Sequence, residues 1–140
     1  MGLATFGEDP SALGWMNEYR YRRFRDHDQP ALDRIAAGGG WPEGTVYDSI
    51  ANLSRIEAAE AWRSATGEDL FESTKWFKDR LGFLLLNNQP GLLADDFGYL
   101  YHPYNSTGDA ERFRGAMVGY ERLMGLVLTQ RFSGLPLARQ

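Results

Sequence analysis

The chain has 140 residues, about one ordinary domain, and its 43% apolar and 14% aromatic residues are enough to build a core. Fifteen basic and nineteen acidic side chains give a formal charge of −4, which argues against a broad phosphate-binding surface and so against nucleic acid as a partner. There is no cysteine, so neither a disulfide frame nor a thiolate metal site can form. His27 and His102 are the two histidines and no H-E-x-x-H spacing is present, so no metal or cofactor is implied.

The longest apolar run, Phe83 to Leu86, is far too short to span a membrane. The opening residues lack the basic and apolar regions of a signal peptide, and the compartment is left open. The arginines Arg20, Arg22, Arg23 and Arg25 alternate with Tyr19, Tyr21 and Phe24. This pattern reads as a solvated helix face with snorkelling arginines rather than an RNA-binding strip.

The first predicted helix starts at Asp9-Pro10, with Asp as N-cap and Pro as first residue. Leu13, Met16, Tyr19 or Arg20, Arg23 and Phe24 follow at helical spacing, and Pro30 is expected to kink or restart it. Ala31 to Ala37 forms a short second piece that Gly38-Gly39-Gly40 ends. After the loop Trp41-Pro42-Glu43-Gly44, Thr45 is a candidate cap for a helix whose inner face is Val46, Ile50, Leu53, Glu57 or Ala58, Ala61 and Ala65, with Trp62 beside it. Gly67 is its C-cap. Thr74 is a cap candidate for a helix over 75–87 that is apolar on more than one side, which predicts burial between neighbours.

Residues 92–108 show no helical period, and long irregular segments of this kind are often functional. The last predicted helix runs from Asp109 or Ala110 to Arg131. Phe113, Met117, Tyr120, Met124 and Val127 form its stripe, and a tail over 133–140 is expected to fray. Four helices in succession, with one long irregular loop, predict an all-α chain of antiparallel hairpins forming a single helical unit over 1–140.

One stretch is more specific than periodicity. Gly38-Gly39-Gly40-Trp41-Pro42-Glu43-Gly44-Thr45-Val46-Tyr47, with the helix ending Ala61-Trp62-Arg63-Ser64-Ala65-Thr66-Gly67-Glu68-Asp69-Leu70-Phe71, resembles the toroid domain of heparinase II/III-like polysaccharide lyases. The Trp76-Phe77 pair and the opening Phe6-Gly7-Glu8-Asp9-Pro10 are similar as well. The resemblance spans roughly residues 4 to 131. It implies part of an (α/α) toroid, a polysaccharide partner, and β-elimination of uronate-containing glycans. Four helices do not close such a ring, so a segment or reduced relative is expected, inactive alone, with apolar sides suited to self-association or to the remainder of a longer chain.

The same resemblance implies site residues. In such lyases a neutralising group offsets the uronate carboxylate and a tyrosine removes the C5 proton. Asp48 stands where lyases carry Asn or His, and an anion there repels a uronate. Tyr101, beside His102, is nearest to the catalytic tyrosine position, with Tyr99 and Tyr104 as rivals. Trp41, Glu43 and Tyr47 would line the cleft. Each also has a plainer reading: Glu43 can hold the turn, Trp41 can plug the helix ends, and Tyr47 can sit in the core. Two alternatives stand beside the lyase reading. One is a non-catalytic helical glycan-binding or assembly module. The other is a toroid glycoside hydrolase pairing Glu43 with Asp95 or Asp96.

Overall fold

The computed structural model describes residues 2–87, 91–94, 96–98, 100–101 and 114–139, with the backbone alone at 45, 46, 100, 101 and 114–118. Among these residues the chain is all-α. Four helical rods follow one another, accompanied by a two-stranded antiparallel ribbon.

The first rod is continuous. It comprises α1 (Ala12–Asn17), a π-helical stretch (Glu18–Asp28) and α2 (Gln29–Arg34). Asp9 does not cap it directly. Its carboxylate accepts from the Ser11 backbone N–H at 2.7 Å, and the helix starts at Ala12. Pro30 causes no break, because it falls in the first turn of α2, where a missing N–H costs little. The buried positions are Ala12, Met16, Phe24 and Leu32, with Arg20 and Asp28 half-buried between them, while Leu13 is exposed. A four-residue step suits winding wider than 3.6 residues per turn, and the Gln29 N–H accordingly bonds the Phe24 carbonyl, five residues back.

The triple glycine ends this rod and turns the chain onto α4 (Trp76–Asn87). Gly39 has φ 90°, and a Cβ there would lie 2.5 Å from the Arg80 backbone nitrogen. Only glycine permits that approach. α3 (Thr45–Thr66) is capped by Gly44 rather than by Thr45, and it closes as expected at Gly67, φ 77°. Its buried face is Asp48, Ser49, Asn52, Leu53, Ile56, Ala59 and Trp62. Ile50, expected inside, is exposed because Asp48, Ser49 and Asn52 occupy the inner face of the first turns, and Ala61 and Ala65 are exposed because Ala59 and Trp62 take the inner positions there.

The chain then passes through a 3-10 turn (Leu70–Glu72) into α4. Thr74 caps α4 as expected, accepting from the Trp76 N–H at 3.1 Å and donating to Asp33 Oδ1 at 2.5 Å. In the segment expected to be irregular, β1 (Leu93–Ala94) pairs antiparallel with β2 (Leu100–Tyr101), Leu93 opposite Tyr101. In α5 (Arg114–Arg131) the buried residues are Met124 and Leu128, and Tyr120 is exposed. Of the expected stripe Met124 is buried and Val127 packs on the core, while at Tyr120 the inward position is taken by Glu121 instead; Phe113 and the Met117 side chain lie outside the described part. The tail does not fray over its described part: Pro136–Arg139 forms a 3-10 turn, and Leu135 and Ala138 pack on the core.

The core gathers around Trp76, Phe77 and Phe71. Phe71 and Phe77 have ring centroids 4.7 Å apart, Trp76 meets Phe77 edge-on, and Phe132 closes the group from beyond α5. Phe77→Ala should lower unfolding free energy by about 3–5 kcal/mol in urea titration, and a loss under about 1 kcal/mol would show that this cluster does not hold the helices together.

Candidate functional site

The glycine loop, the first turns of α3, α4 and α5 converge on one polar cluster. Arg80 sits in a helix otherwise apolar on its inner side, and its side chain is 0% exposed. Its Nη1 reaches the Gly39 carbonyl at 3.0 Å and Asp48 Oδ2 at 2.8 Å. The guanidinium carbon also lies 5.1 Å from the Phe83 ring centre and 5.9 Å from that of Trp76. Its Nε and Nη2 have no hydrogen-bond partner among the described residues.

Asp48 is 2% exposed and both its oxygens are taken, Oδ2 by Arg80 and Oδ1 by the Asn52 amide one turn later. Burial pushes its carboxyl above the ordinary carboxylate range, against the opposing pull of Arg80 and Asn52. The network continues outward. Asn52 Oδ1 accepts from Arg55 Nη1 at 3.0 Å, the Arg55 guanidinium lies 4.1 Å over the Trp41 ring, and the Trp41 indole N–H donates to Glu43 Oε2 at 2.9 Å. From α5, Glu121 accepts from Ser49 Oγ at 2.9 Å. Desolvation raises its pKa to about 7, with Asp48 adding to the rise and Ser49 and Arg80 opposing it.

Trp41, Glu43 and Asp48 are therefore brought into one connected arrangement. Trp41 is half-buried with one face already covered by Arg55, and Glu43 is exposed and tied to the indole. Tyr47 is 58% exposed rather than in the core. Tyr101 lies on β2, where only the backbone is described, and Tyr99, His102, Tyr104 and Asp95 lie outside the described residues. Asp96 is exposed. No group of three or more His, Asp or Glu among the described residues is placed to hold a metal ion, and no helix among them is long and apolar enough to cross a membrane.

Ser49, Asn52, Arg80 and Glu121 were not singled out from the sequence. Signals for two of them existed: Asp48 and Asn52 are one helical turn apart, and Arg80 is a charge set among Trp76, Phe77, Leu81 and Leu84. Comparison with family models, with curated proteins and with solved structures returns no match.

Removing one member of a buried ion pair strands the other charge, whereas replacing both with apolar groups leaves nothing unpaired. Arg80→Met should therefore cost about 3–5 kcal/mol, and Arg80→Met with Asp48→Leu should recover much of that loss. Urea denaturation of the native chain, both single variants and the double variant measures this, and a double-variant loss equal to the sum of the single losses would show that the pair is not coupled.

The cluster also sets a pH dependence. Glu121 holds its proton more tightly folded than unfolded, and Asp48 shifts in the same direction. The folded state thus binds more protons above the ordinary carboxylate range, and stability falls as pH rises toward the folded value of about 7 for Glu121. The urea midpoint should drop between about pH 5 and 8, and Glu121→Gln should flatten that slope. A midpoint that rises over this window would contradict the assignment.

Proposed function

We propose that this chain is a non-catalytic helical module of a carbohydrate-handling scaffold, which binds uronate-containing glycans without cleaving them. One observation carries the reading: the Asp48 carboxylate is buried and fully engaged by Arg80 and Asn52. Elimination from a uronate needs a group that offsets the sugar carboxylate. An internal ion pair at this position offers the substrate no net positive charge and no free hydrogen-bonding atom on Asp48.

The Gly-Gly-Trp-Pro-Glu-Gly turn, with its resemblance to heparinase II/III-like toroids, and the succession of helical rods support the scaffold part. Exposed Glu43, bonded to the Trp41 indole, and exposed Tyr47 at the start of α3 supply the polar and aromatic groups a sugar surface needs. The assembly part is supported by Ile50, Leu86, Leu123 and Leu126, each half exposed or more.

The test is to incubate the full chain with heparan, alginate and related uronates, reading the ultraviolet absorbance of unsaturated products and, in parallel, binding by calorimetry. Binding without product is the expected result, weakened roughly tenfold, ~1.4 kcal/mol, by Tyr47→Ala. Unsaturated product would overturn the non-catalytic reading, and absence of binding would remove the glycan.

A further inference from the structure

Away from the glycine loop, an open pocket of about 390 Å³ lies between the π-helical stretch and the middle of α3. Its body is apolar and aromatic, formed by Trp15, Met16, Tyr19 and Trp62, with Leu3 from the N-terminal turns. A more polar recess continues from it, sharing Glu18, Tyr19 and Arg23 and adding Arg22, His27 and Asp28. A largely apolar concavity of a few hundred Å³ with a few polar groups at one end is what small-molecule sites look like.

The aromatic wall is held in place before any ligand arrives. The Trp62 indole N–H donates to Glu68 Oε2 at 2.8 Å, and Arg20 fixes that carboxylate through Nε at 2.7 Å. Tyr19 packs against Trp62 with ring centroids 5.7 Å apart. Trp15, 43% exposed, leaves much of its surface unfilled. Groups fixed in advance lose little freedom on binding.

The charges at the mouth are unequal in availability. Glu18 is engaged by Arg22 at 3.3 Å, one turn along. Arg23 is exposed and has no ion pair or hydrogen bond among the described residues, yet it lines both the apolar pocket and the polar recess. His27 and Asp28 line the recess alone. The cation nearest the apolar body is therefore the one without a partner.

We propose that this pocket binds an amphipathic anion, an aryl or short acyl carboxylate, with its apolar body against Trp15, Tyr19 and Trp62 and its carboxylate on Arg23. A planar guanidinium takes a carboxylate through two parallel hydrogen bonds, and the aromatic wall removes the ligand's apolar body from water. The site shares no residue with the glycine-loop cluster, so it stands or falls independently of glycan binding.

Calorimetric titration of the full chain with 2-naphthoate and with the neutral 2-naphthamide tests it. The acid should bind roughly tenfold more tightly than the amide, the gain expected of one charge-assisted contact. Arg23→Gln should abolish that preference, and Trp15→Ala, at an exposed position, should weaken both ligands, with circular dichroism confirming unchanged helicity. Equal affinity for acid and amide, a preference that survives Arg23→Gln, or no binding of either would overturn the proposal. So would a glucuronate disaccharide that occupies the pocket more tightly than naphthoate.

Discussion

The contact between Arg80 and the Asp48–Gly39 pair is the constraint around which the rest of this structure is arranged. A guanidinium at zero exposure cannot be left unpaired, since the cost of desolvating a charge is several kcal/mol even after relaxation. One nitrogen answers to a side chain on α3 and to a backbone carbonyl of the loop that ends the first rod. The glycine loop and α3 are thereby tied to α4 at one point. The glycine at position 39 is the steric condition for that tie, because any Cβ would collide with the α4 backbone.

This arrangement also explains why the inner faces of two helices are polar where apolar residues were expected. Once Asp48 turns inward to meet Arg80, Ser49 and Asn52 turn inward with it, and Ile50 is carried to the surface. Glu121 on α5 then finds a hydroxyl to accept from, and Tyr120 is displaced outward. Beyond the ion pair the inner face of α3 is apolar, at Leu53 and Ile56. The network runs on through Asn52 and Arg55 to Trp41, so the surface of the glycine loop is positioned by a charge in the core.

Much of the architecture was legible in the residues. Gly67 as a left-handed cap, Thr74 as a side-chain cap and the triple glycine as a stop each follow from local chemistry that tertiary packing does not override. The orientation of the helices was less legible. Hydrophobic periodicity assigns polar residues outward, and it fails where a buried charge recruits polar partners across helices, as at Asp48, Ser49, Asn52 and Glu121. The candidate site was legible in Trp41, Glu43 and Asp48 but not in Asn52, Arg55 and Arg80, which connect them. Asp48, also read from the sequence, is the member that meets Arg80, but the pairing of Arg80 with Gly39, 41 residues away, has no local signature.

The π-helical stretch has a geometric consequence for the first rod. In an α-helix of 3.6 residues per turn, each four-residue step overshoots a full revolution by about 40°. A line of residues from Met16 through Arg20, Phe24 and Asp28 to Leu32 would then spiral by about 160°, carrying Leu32 nearly to the far side from Met16. Wider winding offsets that drift, which lets residues four apart, Met16, Phe24 and Leu32 among them, be buried along one rod. The winding of the rod is thus matched to the spacing of its own anchors, and Met16, at one end of that line, also lines the aromatic pocket.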